Sequence, residues 1–92
     1  MAKLLEEDIL LANKIAERIT FLRINDSGDK QIDFAKKHGI DKQLISRWES
    51  RIIIDKKTKK IKGRGITIYT IKKFCDMIGI TLVEFFESPL FK

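Results

Sequence analysis

A single glycine, Gly39, separates two short amphipathic segments near the middle of the chain, and this spacing limits the fold more than any other feature. Gly39 is expected to end the first segment as a helix in a left-handed backbone conformation, which glycine adopts at the lowest cost. Asp41, two residues later, can accept hydrogen bonds from the free amides of a second helix. The sequence therefore predicts two helices, over residues 30–38 and 42–50, joined by a very short turn.

The segment before this pair is also predicted to be helical. Apolar residues recur at helical spacing in helix 1, which we expect over about residues 5–23. A polar, glycine-containing stretch at residues 25–29 predicts the turn that ends it. Asp29, the last residue of that turn, is the expected N-cap of helix 2.

The segment after the pair predicts two more helices. Helix 4 is expected over about residues 69–77, with Gly79 closing it. Thr81 and Glu84 have the spacing of a capping box in front of a short fifth helix. The expected fold class is therefore all-α, with five helices in one domain that covers residues 1–92.

Size and residue content argue against an enzyme. A chain of 92 residues has room for one modest core, and its 43% apolar content is ordinary for a globular protein. One histidine, His38, and one cysteine, Cys75, cannot supply a metal cluster, a disulfide or a nucleophile with its base. We expect no catalytic residues, no metal and no cofactor. Trp48 and Cys75 are expected in the core, and His38 on the surface at the end of helix 2.

Neither a membrane-spanning segment nor a secretion signal is expected. The uncharged stretches are far shorter than the roughly 20 residues that a spanning helix needs. The N-terminus carries acidic rather than basic residues before its first apolar run. The expectation is a cytoplasmic protein without a membrane contact.

The net charge of +6 is concentrated in one segment. Residues 1–50 contain nine basic and nine acidic side chains, whereas residues 51–74 contain nine basic ones and a single acid, Asp55. Such a cluster commonly faces a polyanion, either a nucleic acid or an anionic membrane surface, although a solvated basic loop would have the same composition. Within it, residues 52–65 predict a short β-hairpin or an irregular loop, and the hairpin is the favoured interpretation.

Around Gly39 the sequence resembles the lambda-repressor-like, or Cro/repressor, helix-turn-helix family of DNA-binding proteins. The resemblance covers most of residues 12–86 and implies a five-helix bundle in which helix 3 enters the major groove. The residues that match within the two central helices are Gln31, Phe34, Ala35, Gly39, Ile40, Ile45, Ser46 and Glu49. Those that match outside them are Ile19, Leu22, Arg23, Ile71, Phe74, Ile78, Gly79, Ile80 and Phe85.

The resemblance implies roles for individual side chains. Lys42, Gln43, Ser46 and Arg47 occupy the positions that reach base edges, where Gln can pair with adenine and Arg or Lys with guanine. Gln31 corresponds to a phosphate contact at the start of helix 2. The full set expected to contact phosphates is Gln31, Lys30, Arg51, Lys56, Lys57, Lys59, Lys60, Lys62 and Arg64.

Two positions imply an internal ion pair, and two regions depart from the family. Arg23 and Glu49 match residues that join helix 1 to helix 3. After Glu49 the family usually has a glycine in a short loop, whereas this chain has the basic insertion at residues 52–65. The N-terminal extension at residues 1–11 is also additional, and it either lengthens helix 1 or contacts a partner.

The sequence thus predicts a sequence-specific binder of double-stranded DNA that regulates transcription, as a repressor, and acts as a homodimer. One alternative is an antitoxin-type protein that binds a toxin partner and regulates its own promoter. Another is a protein or RNA adaptor that uses the basic insertion. The apolar C-terminus, with Phe85, Phe86, Leu90 and Phe91, either covers the end of the bundle or contributes to a dimer surface.

Overall fold

Five α-helices make up most of the part of the chain that the structure describes, as expected for an all-α protein. The computed structural model describes residues 6–63 and 65–92. The helices are α1 (Glu6–Ser27), α2 (Gln31–His38), α3 (Lys42–Trp48), α4 (Ile68–Ile78) and α5 (Leu82–Phe86), followed by a 3-10 turn, η1 (Pro89–Phe91). Between α3 and α4 lie two short strands, β1 (Ile53–Ile54) and β2 (Ile61–Lys62).

Helix α1 is longer than the sequence predicts. It continues through the polar residues at 25–27, so that the turn expected over residues 25–29 begins only at residue 28. The helix ends where Gly28 adopts a left-handed conformation, with φ of 87° and its N–H donating to the Ile24 carbonyl. At the other end, residues 6–11 of the N-terminal extension belong to α1, while residues 1–5 lie outside the described part of the chain.

The α2–α3 pair is joined as predicted. Gly39 ends α2 in the left-handed region (φ 65°), and the Asp41 carboxylate accepts a hydrogen bond from the Gln43 N–H at 2.8 Å. Two boundaries differ. The N-cap of α2 is Lys30, not Asp29, which lies one position too early for its carboxylate to serve as the cap. Helix α3 ends at Trp48, two residues before its expected end.

The C-terminal helices follow their local signals. Gly79 ends α4 with φ of 75°, and the helix is one residue longer at each end than predicted. Thr81 and Glu84 form the expected capping box, in which each side chain accepts a hydrogen bond from the other's backbone N–H. These short-range contacts define the start of this five-residue helix.

The core lies where α1, α2, α3, α4 and α5 meet. Trp48 and Cys75 are buried in it as predicted. Phe85 is fully buried, and Phe86 and Phe91 pack partly buried against the same cluster, so that the aromatic C-terminus covers the end of the bundle. The members of the central cluster are Ile19, Phe34, Ile45, Trp48, Ile71, Phe74, Cys75 and Phe85.

The basic insertion forms the favoured β-hairpin. Strands β1 and β2 are antiparallel, with Ile53 opposite Lys62 and Ile54 opposite Ile61. The turn is organised by Asp55, whose carboxylate accepts from the Lys57 N–H at 2.9 Å. Hydrogen bonds from the Lys57 and Thr58 amides lower the pKa of the Asp55 carboxyl below its ordinary value.

Candidate nucleic-acid interface

One side of α3 is polar and exposed. Its four candidate base-contacting residues are exposed, while Ile45 and Trp48 on the other side are buried in the core. Because residues three and four apart share a helix face, the side chains at 42, 43, 46 and 47 form one continuous surface. The structure thus brings together Lys42, Gln43, Ser46 and Arg47.

These four side chains and Ser50 line a shallow depression of about 290 Å³. It offers an ammonium, a carboxamide, two hydroxyls and a guanidinium, so that hydrogen-bond donors outnumber acceptors. A carboxamide can bond two edge atoms of adenine, and a guanidinium can bond O6 and N7 of guanine. The depression is open rather than enclosed, which suits the edge of a large ligand better than a small molecule.

A buried ion pair supports α3 from behind. Arg23 Nε of α1 lies 2.5 Å from Glu49 Oε2 at the end of α3, and both side chains are less than a tenth exposed. The Thr20 hydroxyl donates to the other carboxylate oxygen of Glu49 at 2.9 Å, and Arg23 Nη1 donates to the Gly28 carbonyl at 3.1 Å. Because every partner is satisfied within the protein, this network fixes the position of α3 relative to α1.

A second polar cluster, which the sequence analysis missed, joins α1 to α2. Asp26 lies 2.9 Å from Lys37 Nζ and 2.8 Å from His38 Nε2. Partial burial raises the pKa of the Asp26 carboxyl, but hydrogen bonds from Ser27, His38 and Lys37 outweigh this effect and hold it at about 2. His38 is therefore not the surface residue that was expected: its side chain is only 13% exposed.

The start of α2 holds the two expected phosphate-contacting residues of that helix. Gln31 is the first helical residue and is half-buried, and Lys30 precedes it with an exposed side chain. The Lys30 side chain does not cap the helix. Amide groups at such a helix start, together with the positive end of the helix dipole, attract anions.

The β-hairpin supplies a separate group of cations. All five of its lysines are exposed, and the one acid nearby, Asp55, is used inside the turn. The lysines are Lys56, Lys57, Lys59, Lys60 and Lys62. They therefore present a concentrated positive charge that does not depend on a fixed side-chain arrangement.

The base of the hairpin is anchored to α1. The Ile52 N–H donates to Asn13 Oδ1 at 2.7 Å, and Asn13 Nδ2 donates back to the Ile52 carbonyl at 3.2 Å. Gly63 passes so close that a Cβ there would lie 2.9 Å from the Arg51 carbonyl oxygen, and its φ is 100°. Any larger residue at position 63 would push the two strands apart.

Two further candidates flank the hairpin. Arg51 is exposed, and its guanidinium lies 3.9 Å from Glu17 of α1, a contact that solvent screens strongly. Arg64 lies outside the described residues.

Comparisons with known proteins give this chain no relative. No protein family, curated protein or solved structure was found to match it. Within residues 6–63 and 65–92, no three potential ligands gather at a point where they could hold a metal ion. None of the helices described has both the length and the apolar character needed to cross a bilayer.

Proposed function

We propose that this protein binds double-stranded DNA at specific sequences and regulates transcription, acting as a repressor. In this proposal the chain has the lambda-repressor-like fold, and α3 lies in the major groove. Lys42, Gln43, Ser46 and Arg47 contact base edges, while the start of α2 and the hairpin lysines contact phosphates. Binding as a homodimer doubles the number of base pairs that one short helix can read.

The observation that carries this proposal is the polar face of α3. Four side chains suited to base edges occupy one side of a helix whose other side is buried, and the Arg23–Glu49 pair fixes that helix. Specific recognition needs donors and acceptors whose positions are set before binding.

Selection of the purified protein against a randomised duplex library, at near-physiological salt, tests the proposal. The variant Gln43→Ala/Arg47→Ala is selected in parallel, and Lys36→Ala/Lys72→Ala, two exposed lysines on α2 and α4, serves as the control. We expect an inverted repeat from the wild type and the control, and no enriched sequence from the double variant. Enrichment of the same sequence by the double variant would exclude α3 as the reader.

A second candidate is an adaptor that binds RNA or another polyanion through the hairpin. The concentration of lysines on an exposed β-turn favours it, because a polyanion contact of this kind needs charge rather than defined geometry. Salt-sensitive, sequence-blind binding by both the wild type and the α3 double variant would support this candidate over the first.

A further inference from the structure

The solvent side of α1 carries two large apolar side chains. Leu10 is 58% exposed and Phe21 is 56% exposed, and between them lie the exposed side chains of Lys14 and Glu17. The successive spacings of four, three and four residues place all four on one stripe of the helix. This stripe, Leu10–Lys14–Glu17–Phe21, has an apolar residue at each end and a basic and an acidic residue between them.

This stripe lies on the side of α1 that faces away from the core. The buried residues of α1 are Ile9, Ala16, Ile19 and Arg23, and at 3.6 residues per turn they lie on the opposite side of the helix. More than half of each apolar side chain of the stripe is therefore left uncovered in the monomer. Single exposed apolar residues are common, but here two of them are aligned on one face, with a basic and an acidic side chain between them.

The spacing of the stripe is symmetric about its midpoint, between residues 15 and 16. If a second α1 lies antiparallel across it, Leu10 meets the partner's Phe21 and Lys14 meets the partner's Glu17. Both contacts then occur twice, as a two-fold axis requires. We propose that α1 forms the homodimer interface of this protein, and that the occupant of the stripe is the same stripe of a second copy.

The surroundings of the stripe suit that occupant. Beside Phe21, a groove of about 520 Å³ is lined by Arg18, Pro89 and Leu90 among others. Beside Leu10, a groove of about 400 Å³ is lined by Leu11, Phe86 and Phe91 among others. In the antiparallel arrangement, each apolar end of the partner's stripe lies next to one of these grooves. The interface can therefore extend beyond the helix itself.

The charges in the stripe are available for contacts between copies. Glu17 has a contact with Arg51 at 3.9 Å, but both side chains are at least half exposed. Arg18 lies beside the stripe, with its guanidinium 5.7 Å from the centre of the Phe21 ring. In the dimer, the pair between Lys14 of one copy and Glu17 of the other is covered by the apolar contacts on both sides. Solvent would therefore screen it less than the exposed Glu17–Arg51 contact.

The arrangement is compatible with binding of one DNA molecule by both copies. The end of α3 and the base of the hairpin contact α1 through Thr20 and Asn13, on one flank of the stripe. The end of α5 and η1 lie on the other flank, where Arg18 donates to the Phe85 carbonyl and borders Pro89 and Leu90. A two-fold axis across the stripe puts the two α3 helices on the same side of the dimer. The interface itself does not depend on DNA binding.

Charge reversal tests the interface in sedimentation equilibrium without DNA, between about 1 µM and 1 mM protein. The wild type should dimerise in this range. Lys14→Glu or Glu17→Lys alone should weaken dimerisation at least about tenfold, because like charges then face each other twice. The double variant K14E/E17K should recover it. An equimolar mixture of the two single variants should form a heterodimer.

The control variant is Lys36→Glu, which reverses an exposed charge on α2, and circular dichroism verifies that each variant is folded. A monomeric wild type throughout the range would overturn the proposal, and so would dimerisation that neither single variant weakens. If the single variants weaken the dimer but neither the double variant nor the mixture recovers it, the antiparallel pairing is wrong. If the variants dimerise as expected but the protein does not bind DNA, only the proposed function is refuted.

Discussion

Helix α3 and the β-hairpin are both candidate contacts for a nucleic acid, but they are held in opposite ways. Helix α3 has a side-chain N-cap, a buried inner face and a buried ion pair at its end. The hairpin has a two-residue ladder, an Asp55-centred turn and an anchor at Asn13, and its side chains are almost all exposed. Tertiary contacts therefore fix the position of α3 more firmly than that of the hairpin.

This difference matches what the two kinds of contact require. Reading base edges needs donors and acceptors at fixed places, because an unmet buried group costs about 1–3 kcal/mol. Neutralising phosphates needs only positive charge nearby, and lysine side chains supply it from many conformations. The region with fixed geometry should therefore control specificity, and the region with exposed charge should control the salt dependence.

Removal of the support behind α3 should have the largest effect on stability. Arg23→Met leaves the Glu49 carboxylate buried without its cation, and we expect a loss of about 3–5 kcal/mol in the free energy of unfolding. Urea denaturation measures it. Arg51→Met is the matched control, because it breaks an exposed contact at 3.9 Å and should cost less than about 1 kcal/mol. Equal losses for the two variants would mean that α3 is not supported as described.

The Asp26 cluster should give a smaller effect that depends on pH. The folded-state pKa of Asp26, about 2, lies below its ordinary value of 3.8, so that the folded protein favours the charged carboxylate. This stabilisation is present above about pH 4 and is lost as the pH falls through 2. Asp26→Asn should therefore lower the free energy of unfolding at pH 7 by up to about 2 kcal/mol.

Unfolding measured from pH 7 to pH 2 checks this prediction. The difference between the wild type and Asp26→Asn should shrink steadily below pH 4. Asp33→Asn, an exposed carboxylate on α2, provides the control and should show a smaller difference. A difference for Asp26→Asn that stays constant down to pH 2 would contradict the role of Asp26 as the charged partner of Lys37 and His38.

Release of the hairpin from α1 should have the smallest effect. Asn13→Ala removes both hydrogen bonds to Ile52, and we expect a cost of about 1 kcal/mol, in the range of a typical intramolecular hydrogen bond. Amide exchange of the hairpin, including the Asp55 N–H that donates to the Lys60 carbonyl, should become about fivefold faster. Exchange in α3 should not change. Asn25→Ala, an exposed asparagine of the same helix, is the control.

The parts of the fold that the sequence predicts well are those set by neighbouring residues. Gly39, Asp41 and the Thr81–Glu84 box act over two to four residues, and the structure has each of them as expected. The burial of Trp48 on the inner face of α3 is likewise as expected. Local signals of this kind need no knowledge of the rest of the chain.

Apart from the boundaries of α2 and α3, the features that were missed join residues far apart in the chain. The polar stretch that contains Asp26 looks like a turn, yet it remains helical and pairs with Lys37 and His38 of α2. The anchor of the hairpin joins Asn13 to Ile52, 39 positions away. Such contacts appear only when the helices have packed, and composition or periodicity contains no sign of them.

The central claim is that α3 reads sequence while the hairpin supplies charge, and dissociation constants for two duplexes test it most directly. One duplex carries the selected site and the other a scrambled sequence. The proteins are the wild type, Gln43→Ala/Arg47→Ala and the hairpin variant Lys56→Gln/Lys57→Gln/Lys60→Gln, each at several salt concentrations.

For the α3 variant, the dissociation constant of the scrambled duplex divided by that of the selected duplex should fall at least about tenfold. Each base pair read by a good side-chain contact contributes about 1–3 kcal/mol of discrimination. The hairpin variant should weaken binding to both duplexes alike and reduce the log–log salt slope by up to about 2.7. The account would be contradicted if the α3 variant kept the ratio, or if the hairpin variant abolished it.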